Sequence, residues 1–208
     1  MFTVKRRFGN ELWDIRQFVQ PMTPGVLAIT ARFPADKQKF IEAAWAWVVN
    51  NIKYPPGPPE ENDRHYREAY LPPALSREIT YDYWNFPAET LALKVGDCED
   101  ASILLCSLLR NRLSAEEVFV TVGEFSGLGH AWVTVNGLVL ETTPVPEAPA
   151  VYRALPEARP YVPLLRFNDQ IVHAVAPGVA DDLVSGRRKD RDIFRRIRGH
   201  HLGGGDRP

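Results

Sequence analysis

The stretch VGDCEDASILLCSLLRNRL sets a cysteine among acids at the head of an apolar run. A thiol there is either a small buried filler or a nucleophile. After Cys98, residues Ala101, Leu104, Leu105, Leu108 and Leu109 recur at helical spacing, and Ile103 and Cys106 extend the apolar surface most of the way round. Cys98 is therefore expected in the first turn of a central, buried helix. The partial positive charge of the helix N-terminus favours thiolate over thiol at that point. Cys106, two turns further on, reads as filler.

A base is found in HAWVTVNGLVLETT, where Asn-Gly marks a two-residue hairpin turn. With Asn136-Gly137 at the turn, Val135 faces Leu138, Trp132 faces Glu141 and His130 faces Thr143. Side chains alternate along a strand, so His130, Trp132, Glu141 and Thr143 share one face, with Glu141 diagonal to His130. Val133, Val135, Leu138 and Leu140 take the other face as core. An imidazole near a thiol holds it as thiolate and later protonates the leaving group, and a carboxylate on the second ring nitrogen fixes the tautomer. Cys98, His130 and Glu141 suit those three roles, and the backbone N–H of Cys98 is a first donor to an oxyanion.

Asp97, Glu99 and Asp100 oppose the helix dipole by raising the proton affinity of a neighbouring thiol. Three arrangements resolve the conflict. Asp97 as N-cap and Asp100 in the capping-box position can bond backbone N–H groups. The acids can pair with a base such as Lys94 or Arg110. Or they can hold a cation, although two carboxylates fall well short of the six to eight oxygens that calcium takes.

The elements that must position these groups follow from pattern. DKQKFIEAAWAWVVNNIKY predicts a helix with Phe40, Ala44, Trp47 and Val48 on one side and Ile41, Trp45 and Ile52 widening the stripe. The proline loop at 54–63 ends it. PAETLALK predicts a short helix with Pro87 at its first position. EVFVTVGEF alternates as a strand, and VPLLRF and QIVHAV, split by ND, predict a second hairpin. Helices first and antiparallel strands afterwards argue for an α+β fold. Residues 1–180 are expected to form one domain with its core at 36–143, followed by a basic, partly disordered tail at 181–208; residues 1–34 have no assigned structure.

With 25 basic and 26 acidic residues the chain has no overall bias toward nucleic acid or membrane surface. Cys98 and Cys106 lie about 12 Å apart along one helix and cannot bridge. Free thiols suit a reducing compartment, and MFTVKRRFGNELWDIRQF lacks the apolar run of a leader, so a cytoplasmic location is expected. No window approaches a membrane span. Zinc is excluded by the lack of ligand spacing, since His200-His201 sit in the tail and no C-x-x-C occurs. Asp190 and Asp192 interleave the tail's arginines, which reads as a solvated face rather than a nucleic-acid site.

DYWNFPAETLALKVGDCEDASILLCSLLR, then VFVTVG, GHAWVTV and LVLETT, resemble the transglutaminase-like superfamily of papain-fold thiol enzymes, and most closely its bacterial cysteine-proteinase branch. The resemblance covers residues 82–143. It implies a papain-like core, with the helix bearing the cysteine packed on an antiparallel sheet. It makes Cys98 the nucleophile, His130 the base and Glu141 the orienting acid, where many members carry Asp. It implies an acyl-thioenzyme and hydrolysis of a peptide or protein amide, with no cofactor required. A branch of the superfamily holds calcium through acids matching Asp97 and Glu99. Trp84 or Tyr83, before the helix, would wall the cleft or give a second oxyanion donor. Two alternatives stay open: acyl transfer by a transglutaminase or deamidase, and a catalytically retired fold kept as a protein-binding module.

Overall fold

The computed structural model describes residues 13–55, 84–125, 128–143 and 161–175, together with the backbone of two short strands at 3–4 and 153–154. Tyr83, most of the proline loop and the tail at 181–208 lie outside the described residues.

Strands β1 (Thr3–Val4) and β2 (Trp13–Asp14) pair antiparallel, and a 3₁₀ turn at Ile15–Phe18 follows. Among the described residues the helices are α1 (Pro24–Thr30), α2 (Lys37–Asn51), α3 (Pro87–Leu93) and α4 (Cys98–Arg110). Helix α2 starts where Asp36 accepts a hydrogen bond from the backbone N–H of Lys39 at 2.9 Å, an N-cap that satisfies one of the first free donors. Helix α3 opens on Pro87 as expected; Glu89 reaches back to the backbone N–H of Phe86 at 2.7 Å, and Lys94 ends the helix in the left-handed region at φ 57°.

The second layer is a six-stranded antiparallel sheet: β3 (Val118–Phe125), β4 (Leu128–Val135), β5 (Leu138–Leu140), β6 (Arg153–Ala154), β7 (Tyr161–Phe167) and β8 (Val172–Ala174), in the order β6-β5-β4-β3-β7-β8. The α+β class is thus established. The Asn-Gly turn joins β4 to β5 with positive φ at both residues, 49° and 81°, and Val135 pairs with Leu138. Positive φ at both central positions matches the right-handed twist of the flanking strands, and Asn and Gly adopt it at least cost. The second hairpin is organised by Asn168, which is fully buried. Its amide donates to the carbonyls of Ala115 and Val118, and its Oδ1 accepts from the N–H groups of Gln170 and Ile171.

Every residue of α4 from Glu99 to Leu109 is buried, as an all-round apolar helix requires. It packs with Phe40, Ile41, Ala44 and Val48 of α2 and with Val118, Val120, Val133, Val135, Leu140, Leu165 and Phe167 of the sheet in one core. A second, smaller cluster holds Phe125, Trp132, Val139 and Tyr161. Strand alternation, with a register shift in β7 for Tyr161, places this cluster on the opposite side of the sheet, and there its aromatic rings surround that of His130.

Candidate active site

Helix α4 begins immediately after a short parallel bridge between Lys53 and Val95, in which Lys53 N–H donates to Lys94 O and Gly96 N–H donates to Lys53 O. This bridge sets Tyr54 beside the start of the helix. Burial, and then the negative charges of Cys98, Asp97, Glu99 and Asp100, push the Tyr54 phenol up, so it stays protonated.

Cys98 is partly exposed at the first position of α4, with its Sγ 3.1 Å from Glu99 Oε2, a bond that only the protonated thiol can donate. Cys106 lies fully buried in the core, and burial pushes its thiol up, away from reactivity. His130, near the start of β4, places Nε2 2.9 Å from Glu141 Oε2. Burial alone would lower the imidazole. Hydrogen bonds from its ring to Cys98 and Glu141, with the charges of both, outweigh that and raise it to about 10. An imidazole has two nitrogens, so with Nε2 on Glu141 the nitrogen toward Cys98 is Nδ1. The structure thus brings the three residues selected by spacing together, in surroundings that favour the charged ring.

Glu141 is 2 % exposed. Its Oε1 accepts from Thr143 N–H at 2.9 Å, its Oε2 also accepts from the Tyr161 hydroxyl at 2.8 Å, and its backbone carbonyl accepts from the Trp45 ring N–H at 2.7 Å. Neither Tyr161 nor Trp45 was assigned to the site from sequence. Trp45 reads as part of an apolar helix face, and Tyr161 reaches the site only because β7 pairs with β3, a long-range contact that no local pattern encodes.

The acids beside the thiol do not cap the helix as expected. Asp97 occupies the N-cap position with extended backbone, but its side chain makes no capping bond. Asp100, fully buried, accepts instead from the backbone N–H and the side-chain amide of Asn85, both at 2.8 Å. Those bonds tie the segment before α3 to the first turn of α4. Nor does Arg110 serve these acids, because its guanidinium pairs with Asp169 at 2.7 Å. Removing the Asp100 carboxylate strands two buried donors, so Asp100→Ala is expected to cost about 3 kcal/mol in urea unfolding.

The carboxylate oxygens of Asp97, Glu99 and Asp100 lie within 4.8 Å of one another. Two ligands on one calcium ion at about 2.4 Å are separated by no more than about 4.8 Å, and calcium takes oxygen donors. The donor set thus suits calcium in kind and spacing, with three side chains toward the six to eight oxygens it takes, and adds Asp100 to the two residues expected from the resemblance. Trp84 is 4 % exposed, stacked on Phe167 and edge-on to Phe18 in the main core.

A helix N-terminus that presents a cysteine to a histidine on an antiparallel sheet is the architecture expected from the sequence resemblance. The chain belongs to the transglutaminase-like domain family, whose model matches residues 26–145, more than half of its length. It is also similar to solved structures of LapG from Legionella pneumophila. The EGTA-treated form is 16% identical at a TM-score of 0.42, over 83% of this chain and 96% of that one. The calcium-bound form is 14% identical at a TM-score of 0.40, over 83% and 97%. No curated protein matches the chain. Among the described residues, no helix is long and apolar enough to cross a membrane.

Proposed function

We infer that this protein is a thiol-dependent amide hydrolase acting on peptide or protein substrates. The observation that carries this reading is an imidazole held at 2.9 Å by Glu141 and in electrostatic contact with a cysteine at a helix N-terminus. In the first half of the reaction, the Cys98 sulfur attacks the amide carbonyl carbon. The carbonyl oxygen takes the electron pair and is met by the Cys98 backbone N–H. Collapse breaks the C–N bond, and the amine leaves with a proton from His130 Nδ1, so a thioester remains. In the second half, water attacks the thioester carbonyl as His130 accepts its proton. The acid product departs and the thiolate–imidazolium pair is restored. Glu141 holds the ring in the tautomer that both halves need.

The test is a product analysis on denatured protein and mixed peptides, with and without an added primary amine, for the wild type and Cys98→Ser. Cleavage to free carboxyl ends, lost in Cys98→Ser, is the expected result. Incorporation of the amine in preference to cleavage makes the chain an acyl transferase. Absence of both products and of any thioester on Cys98 contradicts the catalytic reading and favours the binding module.

Asp97, Glu99 and Asp100 are the residues that would hold calcium. Bound there, the ion supplies positive charge that offsets the carboxylates beside the thiol. In calcium, relative to chelator, the melting temperature is expected to rise and Cys98 to alkylate faster. Equal values in both conditions would make the cluster a purely hydrogen-bonded element of the helix start.

A further inference from the structure

Glu141 is restrained more tightly than its bond to His130 requires. The torsion that turns a glutamate carboxylate is broad, so one hydrogen bond leaves the group free to swing together with the ring it holds. Here both oxygens are held. Thr143 N–H fixes Oε1 at 2.9 Å, and the Tyr161 hydroxyl shares Oε2 with His130, at 2.8 Å against 2.9 Å. Together they define the carboxylate plane and hence the line along which the imidazole is held.

The ring of Tyr161 is itself fixed. It lies 5.0 Å from Trp132, 4.7 Å from Phe125 and 6.4 Å from His130, and the residue is 8 % exposed. Packing alone would be met by phenylalanine. A buried hydroxyl is costly unless it is bonded, and this one is directed onto the buried carboxylate that holds His130. Its strand approaches because β3 has a glycine there: β7 shifts register at Val122/Gly123, where a side chain would collide with the Val162 carbonyl.

We propose that Tyr161 is a positioning residue of the thiol site: its hydroxyl sets the plane of Glu141 and shares the charge on Oε2, so that His130 is presented to Cys98. This rests on Cys98, His130 and Glu141 acting as nucleophile, base and orienting acid. Tyr161 touches no reacting atom and works only through Glu141.

The experiment is a double-mutant cycle on wild type, Tyr161→Phe, Glu141→Gln and the double variant. The rate of iodoacetamide alkylation at Cys98 is read at neutral pH by mass spectrometry. Proton NMR of ¹⁵N-histidine-labelled protein follows the low-field ring N–H of His130 in the wild type and Tyr161→Phe. Tyr161→Phe keeps the ring packing and is expected to slow alkylation about tenfold and to move the His130 resonance. In the Glu141→Gln background it is expected to have no further effect, because the two residues act as one unit. Incorporation of 3-fluorotyrosine at position 161, a stronger donor of nearly the same shape, is expected to move the resonance in the opposite direction.

An unchanged rate and resonance in Tyr161→Phe would overturn the proposal, as would an equal slowing in both backgrounds. The wild type separates the two levels of the argument. If its Cys98 labels no faster than an unactivated thiol, the thiol-hydrolase reading has failed and the role of Tyr161 falls with it. If wild-type Cys98 is fast and Tyr161→Phe is equally fast, only the role of Tyr161 is lost.

Discussion

Replacing His130 with alanine is expected to lower the rate of amide hydrolysis by about a hundredfold to ten-thousandfold, the range for a positioned general acid–base. Alkylation of Cys98 at neutral pH falls with it, since both depend on the same imidazolium. Burial opposes the charge on His130, yet bonds to Cys98 and Glu141 hold the ring at about 10, against 6.5 for a free imidazole. A histidine whose folded value is raised contributes stability that is complete below about 6.5 and lost as pH climbs through about 10. The wild type is therefore expected to lose stability across that window, read as melting temperature against pH, and His130→Ala to lose less. A His130→Ala protein that labels at Cys98 as fast as the wild type would remove the imidazole from the mechanism.

The second large effect lies at Gly123. A methyl group there would sit 2.1 Å from the Val162 carbonyl oxygen, 2.8 Å from the Trp132 ring and 3.0 Å from Pro163 Cα. Two of those three contacts are with the backbone of a paired strand, which cannot rotate out of the way. Overpacking of this kind costs about 3 kcal/mol or more, so Gly123→Ala is expected to unfold at markedly lower urea concentration. In the fraction that folds, β7 must move away from β3, carrying Tyr161 off Glu141, so Cys98 alkylation should slow as well. Unchanged stability and unchanged labelling would mean that the strands separate there without consequence. A glycine inside an alternating strand is a known sign of a bulge or of close backbone approach. VTVGEF carries that sign, and here it marks where β7 crosses.

What the sequence made legible was what local periodicity and turn chemistry determine. The apolar spacing after Cys98 placed α4. Asn136-Gly137 placed the hairpin and its register, and two steps of alternation from that turn brought His130 and Glu141 onto one face, where they lie 2.9 Å apart. Asn168-Asp169 placed the second hairpin in the same way.

What stayed hidden was long-range. The pairing of β7 with β3, which delivers Tyr161, joins segments some forty residues apart and leaves no local pattern. The direction taken by Asp100 was equally hidden. Its spacing from Asp97 reads as a capping box, but a buried amide and backbone N–H from Asn85, fifteen residues upstream, claim the carboxylate instead. Helix α1 lies in the stretch at 1–34 that had no assignment, because seven residues give too few turns for a period to emerge.

The most direct test of the central claim is the rate of iodoacetamide alkylation at Cys98 in the wild type from about pH 5 to about pH 9, with buried Cys106 as the internal control. Cys98 is expected to label rapidly and nearly uniformly from the mildly acidic side of neutrality upward, while Cys106 stays unlabelled until the protein unfolds. A Cys98 rate that is negligible at neutral pH and climbs only toward about pH 8.5, as an unactivated thiol does, would contradict it.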